Sequence, residues 1–141
     1  MDYLDTSLVV AILTNEAATA NARSWLESCP LGNTYISDWV VTEVSSALSI
    51  KVRTGALPVD HRAAAQAFFR QLIAESFALL PVNSFHFHMA AQFADQHRLG
   101  LRAGDALHLA IASDVGARLC TLDRRLAEAA SEIGAAVLYL A

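Results

Sequence analysis

The chain has 141 residues, the length of one ordinary domain, and residues 1–141 are read as a single unit. Apolar residues make up 55% and charged residues 17%, which supplies a large core and excludes the low-hydrophobicity, high-charge composition of a disordered protein. A formal charge of -4 provides no global basic footprint, so a nucleic-acid partner would need a local patch.

Mean hydropathy is high at +0.36, yet charged residues interrupt every apolar run before the roughly 18 to 20 residues of a membrane span. The excess is expected in a core and an interface, with no membrane partner. The opening MDYLDTS is acidic and lacks the basic and apolar regions of a secretory signal, so export is not indicated. Cys29 and Cys120 stand far apart with no CxxC and no metal spacing, which suits a reducing compartment and points to the cytoplasm. Nine of the ten basic residues are arginine, the exception being Lys51, a bias toward planar recognition of phosphate or carboxylate.

In chain order, Tyr3-Leu4 reads as a buried strand ending at Asp5, and Leu8 to Leu13 as a short helix capped by Thr6 or Ser7. A helix over about 17–28 closes before Pro30, and Thr34-Tyr35-Ile36 is a second strand. Ser37 or Asp38 caps the next helix, which runs through Trp39, Glu43 and Leu48 to about Arg53. After the break at Gly55 and Pro58 comes a helix over about 60–76, striped by Ala64, Ala67, Phe68, Gln71 and Leu72.

Leu79 to Val82 is a third strand, and 84–97 a further helix. Past Gly100, the segment RAGDALHLAIAS is apolar nearly all round, the mark of a buried helix, with Asp105 in its first turn. Arg118 to Leu122 makes a fourth strand ending at Asp123, Arg124 to Glu132 a short helix, and Ala136 to Leu140 a fifth strand. Repeated β-α order predicts an α/β fold with a central, parallel five-stranded sheet and helices on both faces. Ligands of such sheets bind beyond the carboxyl ends of the strands, where strand order reverses, and Asp5 and Asp123 fall at such ends.

Four acids occur in otherwise apolar surroundings: Asp5, Glu43, Asp105 and Asp123. Acids gathered at one edge raise one another's pKa unless a cation neutralises them. Oxygen-only ligation without cysteine or paired histidines favours Mg²⁺ or Mn²⁺ over zinc, and such ions serve phosphate chemistry by activating water. The competing reading makes Asp5 a cap or turn acid and Asp105 a favourable first-turn charge; both readings are compatible.

The segments YLDTS, SDWVVTEVSSAL, LRAGDALHLAIA and CTLDRRLAEAASEIG occur in that order over essentially the whole chain. On them the sequence resembles the PIN-domain ribonucleases, and more narrowly the VapC toxins of bacterial type II toxin-antitoxin modules. The resemblance implies a PIN-like domain whose Asp5, Glu43, Asp105 and Asp123 surround Mg²⁺ or Mn²⁺. Ser7 and Thr121 match hydroxyl positions that orient the carboxylates or a water. It further implies RNA cleavage leaving 3′-hydroxyl and 5′-phosphate ends, a homodimer, and a VapB-like antitoxin that obstructs the acidic site.

Arg102, Arg124 and Arg125 border the acidic edge and are candidates to meet RNA phosphates, or else form a solvated face. Asp38 reads as a capping or first-turn residue, while Asp2 and Asp114 read as solvated. His86 and His88 point to different helix faces and His61 and His97 stand alone, so these have core or surface roles. His108 either bonds Asp105, three residues before it, or fills space in its buried helix, the simpler reading. Trp25, Trp39, Phe68 and Phe69 are chiefly core, with one exposed stripe available for dimerisation or an antitoxin groove.

Three other functions merit comparison. A PIN nuclease acting on DNA or in RNA maturation lies outside a toxin module, and a catalytically silent PIN scaffold keeps the acids without turnover. A phospho-acceptor receiver needs a lysine near its fourth or fifth strand, where Lys51 does not fall. No G-x-S-x-G elbow, P-loop or G-x-G-x-x-G is present.

Overall fold

The computed structural model describes residues 1–141. Strands β1 (Asp2–Leu4), β2 (Thr34–Ser37), β3 (Phe77–Leu80), β4 (Arg118–Thr121) and β5 (Val137–Tyr139) form one sheet in the order β3-β2-β1-β4-β5. Every pairing is parallel. The helices are α1 (Thr6–Leu13), α2 (Thr19–Ser28), α3 (Asp38–Arg53), α4 (Val59–Glu75), α5 (Ser84–Asp95), α6 (Ala103–Asp114) and α7 (Arg124–Glu132), with a 3₁₀ turn at His97–Leu99.

From β1 the chain moves outward through β2 to β3, then crosses back to β4 and β5 on the other side. Because parallel crossovers are right-handed, this reversal puts α1 to α4 on one face and α5 to α7 on the other. The contacts agree: α1 packs against α2, α3 and α4, whereas α6 packs against α5 and α7. Tyr3, Leu4, Ile36 and Leu119 in the strands join Leu8, Ile12, Leu48, Leu109 and Ile111 of the helices in the core. The switch point lies between β1 and β4, both buried on two faces.

Several boundaries differ from the sequence expectations. Helix α1 begins at Thr6, and its cap is Asp5, not Thr6 or Ser7, because the Asp5 carboxylate reaches Leu8 N–H at 3.1 Å. Strand β3 lies two residues earlier than expected. Its register sets Thr34 against Phe77 and Ser37 against Leu80, burying Phe77, and Pro81 then has no N–H to continue the ladder. Helix α5 stops at Asp95 rather than 97, and a 3₁₀ turn closes at Gly100 in the left-handed region, with φ of 66°.

Asp2 is not solvated. As the first residue of the central strand it lies opposite Arg118 in register, is 5% exposed, and receives Arg118 Nε–H at 2.8 Å and Asn33 Nδ2–H at 3.0 Å. Asp114 is exposed, as expected, yet partnered: it accepts from Nε2–H of buried His86 at 2.8 Å, while His86 Nδ1 accepts Asn83 N–H in a capping box that starts α5. No helix is long and apolar enough to cross a membrane.

Candidate active site

Asp5 follows β1 directly and Asp123 stands two residues after Thr121, the last residue of β4, so the switch point sets two acids at the same edge. Both are helix N-caps. Asp5 accepts from Leu8 N–H and Asp123 accepts from Leu126 N–H at 3.0 Å. Asp5 is 2% exposed, and both its oxygens are engaged: Ser7 Oγ lies 2.8 and 2.9 Å from them and Thr121 Oγ1 donates at 2.7 Å. Thr121 also accepts Asp123 N–H at 2.9 Å, and Ser7 accepts Leu122 N–H at 3.1 Å. Two hydroxyls thus lock the end of β1 to the end of β4.

Glu43 enters from the second turn of α3. Its Oε1 accepts from Thr6 Oγ1 at 2.6 Å and meets Nε2 of buried His108, while its Oε2 has no hydrogen-bond partner. Asp105, in the first turn of α6, is half-buried and has no hydrogen-bond or ion-pair partner in the protein. Gly104 makes room beside it: a Cβ there would lie 3.0 Å from Glu43 Oε2 and 3.6 Å from the Trp39 ring.

The electrostatics follow from this packing. Burial, then the charges of Asp123, Asp5 and Glu43, lift the Asp105 carboxyl from its ordinary 3.8 to about 6. Burial also raises Asp5, against its hydroxyl and backbone donors. For Glu43 burial again opposes the charge, but the bonds from His108 and Thr6 outweigh it and hold the carboxyl below its ordinary range. Every lysine or arginine ion pair in the structure lies elsewhere, so no fixed cation neutralises the four acids.

No three acids, histidines or cysteines close into a preformed metal cage. The donor set nevertheless suits a hard divalent ion, because Mg²⁺ keeps several waters and takes one or two carboxylates. Asp105, Glu43 Oε2 and Asp123 Oδ2, whose Oδ1 alone takes the cap bond, are the oxygens left without protein donors. Of the three arginines, Arg102 is exposed just before α6, Arg124 is exposed and bonds Glu128 at 2.9 Å, and Arg125 bonds the Gly100 carbonyl at 3.3 Å. None of them pairs with an acid of the cluster.

Sequence reasoning missed Thr6, Gly104 and the bonding of His108, which is buried as its helix implies but bonds Glu43 and not Asp105. Behind it, Tyr3 and Ser37 extend the network into the core at 2.9 and 2.8 Å. The segment DALHLA did carry a signal, a polar ring in an apolar helix, but not its direction.

Residues 3–132 match the PIN domain family. The chain belongs to that family. No curated protein is similar enough in sequence to count as a relative. Among solved structures this PIN domain is similar to VapC20 of Mycobacterium tuberculosis, described as a sarcin-ricin loop cleaving toxin, with TM-score 0.73 and 20% identity over 95% of each chain. It is similar to a chain of FitAcB from Neisseria gonorrhoeae, with TM-score 0.71 and 22% identity over 98% of this chain and 96% of that one. A chain of VapBC2 from Rickettsia felis, bound to a promoter DNA fragment, matches over 100% of both chains with TM-score 0.68 and 15% identity. At such identities the likeness is one of fold, and it covers the PIN domain from end to end.

Proposed function

We propose that this PIN domain is a Mg²⁺- or Mn²⁺-dependent endoribonuclease, the toxin of a VapBC-type pair, which inhibits translation by hydrolysing tRNA, rRNA or mRNA. One observation carries the reading: Asp5, Glu43, Asp105 and Asp123 share the switch-point edge with no arginine or lysine to neutralise them. Asp5, Asp105 and Asp123 would hold the ion directly and Glu43 through a water, with Ser7 and Thr121 bracing Asp5. When bound, the ion supplies neutralising charge at the scissile phosphate and lowers the pKa of an attacking water.

The protein's own groups have separate tasks. Asp5 and Asp123 are pinned as caps, so the edge keeps its shape. Glu43, ionised and held by one oxygen, offers Oε2 as acceptor for the proton the water gives up. As the water oxygen bonds to phosphorus, the P–O3′ bond breaks, and the departing 3′-oxygen takes a proton from solvent. The products are a 3′-hydroxyl and a 5′-phosphate. Exposed Arg102, Arg124 and Arg125 take flanking phosphates.

A VapB-like antitoxin is the expected partner, and a homodimer the expected assembly. A hollow of about 350 Å³ between α2 and α4, with Ile12, Leu26, Phe68 and Leu72 in its wall and Arg23 and Glu27 beside them, suits an amphipathic peptide segment. Exposed Phe85 and Phe87 on α5 suit a contact between copies. An RNA target goes with a cytoplasmic location.

The test is to map new 5′-phosphate RNA ends in cells after induced expression of wild type and of Asp105→Asn without antitoxin. Discrete ends with growth arrest, for wild type alone, are expected. Identical end maps for the two proteins, with both soluble and folded, would overturn the assignment in favour of a silent scaffold; cleavage of DNA alone would move it outside a translation-blocking module.

A further inference from the structure

The least expected feature of the acidic edge lies beneath it. Tyr3 Oη, in the buried central strand, sits 2.8 Å from Ser37 Oγ and 2.9 Å from His108 Nδ1. On the opposite side of the ring, His108 Nε2 meets Glu43 Oε1, with Thr6 Oγ1 also 3.3 Å away. Tyr3, Ser37 and His108 are each 1% exposed or less, so water is no partner for their protons.

Proton accounting gives the network one direction. Ser37 Oγ caps α3 by accepting Val40 N–H at 3.4 Å, and the only other group within reach is Tyr3 Oη. The Ser37 proton must therefore go to Tyr3, since the reverse orientation leaves a buried hydroxyl proton unpaired. Tyr3 then donates to His108 Nδ1, which must be bare, and the ring proton resides on Nε2, where it faces a carboxylate oxygen. The far end likewise needs a proton on Nε2, because ionised Glu43 only accepts. A chain runs from Ser37 through Tyr3 and His108 to Glu43.

We propose that His108 is a positioning residue: fixed as its Nε2–H tautomer by the Ser37–Tyr3 chain, it holds Glu43 by Oε1 and so turns Oε2 toward the space beside Gly104 and Asp105. For its functional consequence this rests on the nuclease reading above; as a statement about the resting protein it does not. Histidine suits the position because its two nitrogens lie on opposite sides of a rigid ring and span from strand β1 to helix α3. Outer partners of this kind change metal affinity or activity roughly 10- to 100-fold when removed.

Asparagine and glutamine separate positioning from mere filling. A glutamine amide reaches as far as Nε2 and keeps a donor for Glu43, whereas asparagine ends near Nδ1 and leaves Glu43 with Thr6 alone. Long-range ¹H–¹⁵N spectra of the wild-type protein should show Nδ1 of His108 unprotonated and Nε2 protonated. The ¹³C shift of the Glu43 carboxyl should move in His108→Asn and Tyr3→Phe and stay near wild type in His108→Gln. Mn²⁺ affinity by electron paramagnetic resonance should fall about tenfold or more in His108→Asn and by no more than about threefold in His108→Gln.

A proton on Nδ1, or equal effects of asparagine and glutamine on the Glu43 signal, would overturn the proposal. Wild-type protein that binds no Mn²⁺ and cuts no RNA would instead remove the nuclease reading, leaving the tautomer and the Glu43 signal to decide the positioning claim.

Discussion

Strand β1 is three residues long and carries an acid at each end, and the protein treats the two in opposite ways. At the amino end Asp2 is matched by a cation, Arg118, and by Asn33. Past the carboxyl end Asp5 is just as buried but receives only neutral donors, from Ser7, Thr121 and Leu8, while three more acids gather near it. The chain has arginine to spare and uses it at one end alone. An acid that serves the fold is neutralised within the fold; the uncompensated edge is the one we propose receives a cation from outside.

The largest expected effect on that contrast comes from Asp105, the acid with no protein partner. Asp105→Asn should lower RNA cleavage by more than about a hundredfold, beyond the loss of an outer-sphere partner. Its thermal midpoint should hold or rise, because repulsion is removed and no hydrogen bond is lost. A fall in the midpoint would show that Asp105 serves the fold after all.

Asp5→Ala should behave differently, losing activity and stability together. It removes a helix cap and strands the Ser7 and Thr121 hydroxyls, for about 2 to 4 kcal/mol by denaturant unfolding. Arg118→Ala, at the other end of the strand, should cost about 1 kcal/mol, since Arg118 is half-exposed and Asn33 stays with Asp2. Similar costs at the two ends would erase the comparison.

Gly104→Ala sharpens it sterically. Alanine favours the helix by about 0.5 to 1 kcal/mol, so the midpoint should not fall much, but its Cβ crowds Glu43 Oε2 at 3.0 Å and cleavage should drop about tenfold.

The smallest effect is in pH. Asp105 holds its proton more tightly folded than unfolded, so its contribution is fully present below about pH 4 and is lost as pH rises through about 6. Without divalent ions, wild type should therefore lose stability relative to Asp105→Asn across that window, as followed by thermal unfolding at stepped pH. A difference that grew in the opposite direction would mean that Asp105 is paired.

Much of this was legible in the sequence because it is local. Alternating strands and helices announced the parallel sheet, and acids directly after two strands announced the edge. Asp5 and Asp123 lie on the strands that flank the switch point, and two of the helices in chain order bring Glu43 and Asp105. Long-range pairing was illegible. Asp2 looks like a solvated terminal acid until β4 sets Arg118 beside it, 116 residues away. His108 lies one turn after Asp105, yet it faces Glu43, 65 residues earlier, because its ring is held between Tyr3 of β1 and Glu43 of α3, partners that only the folded chain brings together. The start of β3 departs from the local apolar run for a related reason, since pairing with β2 and the block at Pro81 outweigh it.

The central claim is that this edge takes a divalent cation from outside, and calorimetric titration with Mn²⁺ tests it most directly. Wild type and Arg118→Ala should bind the ion alike, with proton release below about pH 6 where Asp105 is protonated. Asp105→Asn should bind at least tenfold more weakly. Absence of binding in wild type, or binding that does not notice Asp105→Asn, would contradict the account.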